Sequence, residues 1–133
     1  RKTVSLVLGS GGARGLAHIG VIQWLEEQSF EIASISGASM GSLVGGIYAA
    51  GKLDEFVDWI CAIDRLDILR LLDFTWGVNG LVRGDRMIGA LVELVGDQQI
   101  EDLPIHYTAV ATNLRMEKEI LKKASAYFAK EMK

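Results

Sequence analysis

The stretch SISGASMGSLVGG, residues 34–46, decides the fold, because it joins a short apolar run to a glycine-rich helical pattern through a tight turn. It lies in a block of twenty uncharged residues, 32–51, which has the length of a membrane-spanning helix. Nine of those twenty residues are glycine or serine, however. The sequence therefore predicts a buried strand over 32–36, a turn, and a buried helix that begins near Met40.

Within the turn, Ser39 stands between Gly37 and Gly41 in the pattern G-x-S-x-G. A serine on a sharp strand-to-helix turn has a strained backbone, and the residues two positions to either side must be very small. The amides at the start of the following helix favour negative charge beside the serine. This context indicates a nucleophilic serine. The alternative is a tight turn in which Ser39 only caps the helix.

A second glycine-rich loop, GSGGARG at 9–15, follows the apolar run TVSLVL at 3–8, which is β-branched and predicts a buried strand, and precedes a helical pattern at 16–28. Gly11 and Gly12 leave backbone N–H groups uncovered, and Arg14 adds a positive charge. A loop of this kind beside a nucleophile is the geometry of an oxyanion hole. The Gly-Lys-Ser/Thr of a phosphate-binding P-loop is absent from it, and so is a complete dinucleotide fingerprint.

The sequence after residue 52 predicts three further helices and one more strand. Helical spacing occupies 53–61, 64–72 and 85–95, a glycine-punctuated loop occupies 75–84, and a turn at Pro104 precedes an apolar run within 102–112. Strands that alternate with helices predict a three-layer α/β fold, in which helices flank a mostly parallel sheet. Sites in such sheets form at the carboxyl ends of strands, which is where both glycine-rich turns are expected.

Charge and composition exclude several functional classes. The net charge is −3, and residues 114–133 form a charged amphipathic pattern with a net charge of +3, so the rest of the chain is acidic. No nucleic-acid partner is expected for such a body. His18 and His106 are far apart in sequence, so no metal site and no cofactor is expected. The single cysteine, Cys61, is expected to be a small buried residue on a helix.

Three segments, LVLGSGGARGLAHIGVI, ISGASMGSLVGGIYAAG and IEDLPIHYTAVATNL, together resemble the bacterial branch of the patatin-like phospholipase family over residues 3–113. The resemblance implies an acyl hydrolase in which a lipid ester acylates Ser39, and in which Gly11, Gly12 and Arg14 form the oxyanion hole. It also implies a Ser-Asp dyad without a catalytic histidine. It further implies a cytoplasmic protein, with peripheral membrane contact left open.

The chain departs from the family pattern at the second member of the dyad. The family aspartate belongs to an Asp-Gly-Gly or Asp-Gly-Ala motif, and no aspartate here is followed by glycine, so the dyad Asp is expected to be absent. The resemblance therefore implies a truncated, partial domain at 1–113 and an amphipathic helix at 114–133 whose membership of the family is open. Residues 116–133 resemble the end of an insertion-sequence transposase subunit, which suggests the hypothesis of a gene interrupted by a mobile element.

Two other functions stay open. A Ser-Asp-His esterase would use Ser39 with His106 and either Asp85 or Asp97, an order along the chain that α/β-hydrolases allow. A truncated, non-catalytic remnant would instead bind a lipid or a partner protein. The exposed edge of an incomplete sheet would then favour self-association.

Overall fold

The computed structural model describes residues 2–67 and 89–110. Within them lie three strands and three α-helices: β1 Lys2–Leu8, α1 Ala17–Glu27, β2 Phe30–Ala38, α2 Met40–Ala49, α3 Leu53–Ala62 and β3 His106–Val110. Short 3₁₀ segments occupy Gly12–Leu16 and Ile100–Asp102. Residues 89–95 are also helical. Strands and helices thus alternate as the sequence predicts.

The three strands form one sheet in the order β1-β2-β3, and both pairs are parallel. Leu8 at the end of β1 pairs with Gly37, and Ala38 at the end of β2 pairs with Val110 at the end of β3. The carboxyl ends of all three strands therefore lie at the same end of the sheet. This parallel sheet with flanking helices confirms the predicted α/β fold class.

The core lies between one face of the sheet and the helices. Along β1, Leu6 and Leu8 are covered while Ser5 and Val7 are exposed, as the two-residue period of a strand requires. The covered strand residues pack against α1 and α2, and α3 joins the same cluster by packing against α2. The buried members of this cluster are Leu8, Ile22, Ile32, Ile35, Met40, Val44, Ile47, Leu53 and Phe56.

The uncharged block at 32–51 folds as a strand, a turn and a helix, as predicted. Strand β2 is longer than its predicted core of 32–36 by two residues at each end. The neighbouring strands supply backbone partners for both extensions. Phe30 pairs with Lys2 of β1, and Ala38 pairs with Val110 of β3. In the described part of the chain, no helix combines the length and the apolar character needed to cross a bilayer.

Several predicted elements lie partly or wholly outside the described residues. The helix expected at 64–72 is described only as far as 67, where residues 65–67 are helical, and the helix expected at 85–95 is described from 89. The loop at 75–84 and the amphipathic helix at 114–133 lie outside the described residues altogether. These elements, and the division of the chain at 113/114, stay predictions.

The prediction that Cys61 is buried is wrong, since its side chain is exposed near the end of α3. Leu53 and Phe56 define the buried face of this helix. Cys61 comes five residues after Phe56, which places it about 140° around the helix from that face. A helical pattern alone did not fix which side of α3 would meet the core.

Tyr48 ties α2 to the end of α1. Its hydroxyl donates a hydrogen bond to Oε1 of Glu26 at 2.8 Å. Burial, followed by this hydrogen bond and the negative charge of Glu26, raises the pKa of Tyr48 from 10.0 to about 12. A raised pKa in the folded state means that the contribution to stability is complete below pH 10 and is lost as the pH rises through 12.

We expect the substitution Tyr48→Phe to lower the free energy of unfolding by about 1 kcal/mol at pH 8, a value reduced for the solvent exposure of the pair. Urea denaturation at a series of pH values measures it. The difference between the two proteins should shrink above pH 10, because only the wild type then loses the contribution of the neutral hydroxyl. A difference that stayed constant up to pH 12 would show that folding does not raise the pKa of Tyr48.

Candidate active site

Ser39 occupies the single residue between the end of β2 and the start of α2. Its backbone has φ 56° and ψ −125°, a conformation that non-glycine residues rarely adopt. Strain of this kind persists only where the surrounding structure holds it, and it is concentrated at functional sites. Ser39 is half-buried at the carboxyl end of the sheet. The sequence-predicted nucleophile therefore has the backbone geometry that a strand-to-helix serine turn requires.

The two glycines of the G-x-S-x-G pattern are there because backbone passes close to them. A Cβ at Gly37 would collide with the carbonyl oxygen of Gly41 and lie 2.5 Å from the amide nitrogen of Ser42. A Cβ at Gly41 would collide with the carbonyl oxygen of Leu8 and lie 2.5 Å from that of Gly9. Backbone atoms cannot rotate away as a flexible side chain can. Both positions of the motif therefore require glycine, because the turn packs closely against neighbouring backbone.

The loop after β1 has an unusual backbone as well. Gly11 has φ 148° and Gly12 has φ 55°, both in the region that favours glycine, and a Cβ on Gly12 would meet nothing within 4 Å. Gly11 is exposed, Gly12 is half-buried and Arg14 is exposed. The ring nitrogen Nε2 of His18 contacts the carbonyl oxygen of Gly9 at 2.7 Å, which assigns the proton to that nitrogen.

The glycine loop and the serine turn lie side by side. Their strands are neighbours, with Leu8 directly opposite Gly37. Gly41, the second residue of α2, lies against the backbone of Leu8 and Gly9. A Cβ on Gly15, at the other end of the loop, would overlap the side chain of Met40. The fold thus brings together the two sequence-predicted loops at one end of the sheet.

The first turn of α2 is held by a chain of hydrogen bonds that starts at Ser39. The amides of Ser42 and Leu43 both donate to the carbonyl oxygen of Ser39, at 2.9 and 3.2 Å. The hydroxyl of Ser42 donates to the same oxygen at 2.6 Å. The hydroxyl of Tyr107, on β3, donates to the carbonyl oxygen of Ser42 at 2.7 Å. Partial burial raises the pKa of Tyr107, so this hydroxyl stays protonated at neutral pH.

Sequence reasoning missed Ser42 and Tyr107 as members of the site. Ser42 was visible as the third residue after the predicted nucleophile, a position at which a serine hydroxyl can bond back to the turn. Tyr107 is 65 residues away from Ser42, and only the pairing of β3 with β2 brings them together. No local pattern carries that information.

The electrostatics at the serine turn favour an anion. The positive end of the α2 dipole lies at Met40 and Gly41, and the first turn of α2 contains no acidic residue. Arg14 adds a full positive charge in the last turn of the neighbouring 3₁₀ segment. The start of α2 therefore favours a negative oxygen beside Ser39.

The structure separates His106 from Ser39. His106 is the first residue of β3 and pairs with Ser34, five residues before Ser39. At about 3.3 Å per strand residue, five residues separate the two backbone positions by roughly 16 Å along the sheet, far beyond hydrogen-bond reach. Asp97 is exposed after the helical residues 89–95, and Asp85 lies outside the described residues. This register argues against the Ser-Asp-His alternative.

Over residues 2–67 and 89–110, no three side chains of His, Cys, Asp or Glu come together in a group that could hold a metal ion.

A parallel α/β sheet that carries a strained serine at a strand-to-helix turn is typical of serine hydrolases built on α/β folds. The family model for patatin-like phospholipases matches residues 6–131. The chain belongs to the patatin-like phospholipase family, which is a family of lipid-ester hydrolases. The resemblance inferred from the three sequence segments is thereby confirmed.

Several relatives share this region of the chain. An uncharacterized NTE family protein of Mycobacterium tuberculosis is 51% identical over 117 residues, which are 88% of this chain and 32% of the relative. Lysophospholipase NTE1 of Saccharomyces cerevisiae is 39% identical over 121 residues, 85% of this chain and 7% of the relative. A patatin-like phospholipase domain-containing protein of Caenorhabditis elegans is 35% identical over 118 residues, 85% of this chain and 9% of the relative. The chain thus spans about a third of the mycobacterial relative's length and less than a tenth of the other two.

Tyr107→Phe tests whether the hydrogen-bond chain positions the serine turn. We expect it to lower the free energy of unfolding by about 1 kcal/mol, because the partly buried carbonyl oxygen of Ser42 loses a donor. We also expect it to slow the labelling of Ser39 by a fluorophosphonate several-fold, since the first turn of α2 is then less firmly held. Tyr48→Phe is the matched control, because it also removes a tyrosine hydroxyl, and Tyr48 lies at the end of α2 that is remote from Ser39. Equal labelling rates in the two variants would remove the positioning role.

Proposed function

We propose that Ser39 is the nucleophile of an acyl hydrolase that cleaves phospholipid or other lipid esters. The observation that carries the proposal is the strained Ser39 backbone, held against a glycine loop at the carboxyl end of a parallel sheet. A serine that only capped α2 would make a side-chain hydrogen bond to the first turn, and Ser39 makes no such bond. The family of the chain supplies the reaction class.

The proposed reaction has two steps. In the first, Oγ of Ser39 forms a bond to the ester carbonyl carbon, the hydroxyl proton passes to a base, and the alcohol portion of the lipid leaves with a proton. In the second, water attacks the acyl-serine and releases a free fatty acid. Each step passes through a tetrahedral intermediate whose oxygen is negative. The amides of Gly11 and Gly12, with Arg14 nearby, are proposed to stabilise that oxygen.

The base that accepts the hydroxyl proton of Ser39 is not assigned to a residue. Family resemblance implies an aspartate from an Asp-Gly motif, and none of the aspartates in the sequence is followed by glycine. No aspartate of the chain is therefore assigned to the dyad. A domain that binds a lipid without turning it over is the second candidate function, and the labelling experiment below distinguishes the two.

The substrate class comes from the relatives. The yeast relative is named a lysophospholipase, so a lysophospholipid is the first substrate to test. Peripheral contact with a membrane and self-association through an edge of the sheet are further proposals that follow from a lipid substrate and from the outer strands β1 and β3. Vesicle co-sedimentation and size-exclusion chromatography measure them separately.

The test of the proposed function is covalent labelling together with hydrolysis. A fluorophosphonate forms an Oγ–P bond to an activated serine and expels fluoride. We expect the wild-type chain to be labelled and to release fatty acid from a lysophospholipid, and we expect Ser39→Ala to do neither. Ser34→Ala is the control, because Ser34 lies five residues earlier on β2 with its hydroxyl bonded to Ser5. A wild type that is folded, unlabelled and inactive would reject the hydrolase and favour the binding domain.

A further inference from the structure

The glycine loop at 9–15 needs a restraint from outside itself. Four of its seven residues are glycine, the residue that restricts its own backbone least. Gly11 and Gly12, whose amides are the proposed oxyanion donors, have φ values of 148° and 55°. Such donors are effective only when they are held in place before the reaction. A side chain that fixes this loop is therefore a candidate for a positioning role.

His18, in the first turn of α1, reaches back to the start of this loop. Its ring nitrogen Nε2 lies 2.7 Å from the carbonyl oxygen of Gly9. A carbonyl oxygen can only accept a hydrogen bond, so Nε2 carries a proton and donates it. The adjacent ring carbon, Cδ2, lies beside Gly15, 3.8 Å from the place that a Cβ would take there. One half-buried ring thus contacts both ends of the loop.

The oxygen that His18 binds is also an oxygen at which the loop meets the serine turn. The carbonyl oxygen of Gly9 lies 2.5 Å from the place that a Cβ on Gly41 would take, and Gly41 is the second residue of α2. The same carbonyl shares a planar peptide unit with the amide of Ser10, whose N–H points the opposite way. The hydrogen bond from His18 therefore fixes the first peptide of the loop against the backbone that follows Ser39.

We propose that His18 is a positioning residue for the oxyanion hole. Its Nε2–H holds the carbonyl oxygen of Gly9, and through the loop backbone it keeps the amides of Gly11 and Gly12 directed at the ester bound at Ser39. In this role His18 neither contacts the ester nor accepts the proton of Ser39. What the site requires is a hydrogen-bond donor at the place of Nε2. The inference rests on the proposed function of Ser39 and of the two amides.

Three substitutions of His18 test this role. His18→Leu removes the donor, and should lower both the rate of fluorophosphonate labelling at Ser39 and kcat for a lysophospholipid by roughly tenfold or more. KM should stay within about twofold, because the oxyanion exists only once attack has begun. His18→Gln should restore both rates to within about threefold of wild type, since its side-chain amide can place an N–H where Nε2 stands. His18→Asn, which is one methylene shorter, should not restore them.

The matched control is His106→Leu, which makes the same replacement at the other histidine of the chain. His106 pairs with Ser34, five residues before Ser39, so this variant should be labelled at the wild-type rate. If His18→Leu fails to fold, the comparison of His18→Gln with His18→Asn decides the question.

The outcomes separate this inference from the proposed function. A labelled wild type whose folded His18→Leu variant reacts equally fast would overturn the positioning role, and so would a His18→Gln variant no faster than His18→Asn. A folded wild type that is not labelled would reject the proposed function of Ser39, and the role of His18 with it. Nitrogen-15 NMR of the neutral imidazole gives a readout independent of activity. We expect the proton on Nε2, and a proton on Nδ1 would contradict the bond to Gly9.

Discussion

Replacing Gly41 with alanine is expected to lower the free energy of unfolding by about 3 kcal/mol, because the new methyl group would collide with backbone rather than with movable side chains. The carbonyl oxygens of Leu8 and Gly9 occupy the space that a Cβ would need. Relief would require α2 to move away from the end of β1, which would part the two loops. Urea denaturation measures the loss, and reduced fluorophosphonate labelling of Ser39 should accompany it.

Gly20→Ala is the matched control for this substitution. Gly20 lies inside α1, and a Cβ there would meet no heavy atom within 4 Å. Alanine is the better helix former by roughly 0.5–1 kcal/mol, so Gly20→Ala should raise stability by about that amount. The two substitutions are chemically identical and should have opposite signs. A stable Gly41→Ala protein with normal labelling would mean that the serine turn is not packed against the glycine loop.

Substituting Ser39 with glycine is expected to stabilise the protein and to abolish its chemistry. Relief of a strained backbone at φ 56° and ψ −125° is worth about 1–3 kcal/mol. The greater chain entropy of unfolded glycine offsets roughly 0.5–1 kcal/mol of this, so a net gain of about 1 kcal/mol is expected. Loss of the hydroxyl should reduce ester hydrolysis by roughly 10⁴-fold or more, because no acyl-serine can form.

Ser39→Ala separates the two effects of that substitution. Alanine also lacks the hydroxyl, so hydrolysis should fall as far as it does with glycine. Alanine retains a Cβ, however, and should keep the backbone strain, so no gain in stability is expected. Equal stability of Ser39→Gly and Ser39→Ala, measured by chemical denaturation, would show that the turn at Ser39 stores no strain.

Local sequence signals were sufficient for the elements that build the site. The β-branched run at 3–8, before the first glycine loop, predicted β1. The uncharged block at 32–51, with its glycines, predicted β2, the turn and α2. Both signals are local, because they come from side-chain period and from the small residues that a tight turn requires. The parallel order followed from the alternation of strands with helices. The lipid substrate class had a different source, the resemblance to a family.

Contacts between distant parts of the chain were beyond the reach of that reasoning. The hydrogen bond from Tyr107 to Ser42 depends on the register of β3 against β2. The same register carries His106 away from Ser39, so the choice between the two hydrolase mechanisms needed strand pairing. The exposed side of α3, on which Cys61 lies, depends on how that helix docks against its neighbours. The roles of Ser39, Gly11, Gly12 and Arg14 stay predictions.

The central claim is that the backbone of one glycine loop stabilises the oxyanion made by the serine of the next turn. A crystal structure of the fluorophosphonate adduct tests it most directly, because the phosphonyl oxygen occupies the position of that oxyanion. We expect phosphorus bonded to Oγ of Ser39, with its oxygen roughly 2.7–3.1 Å from the amide nitrogens of Gly11 and Gly12. An adduct on another residue, or a phosphonyl oxygen that points away from both amides, would contradict the account.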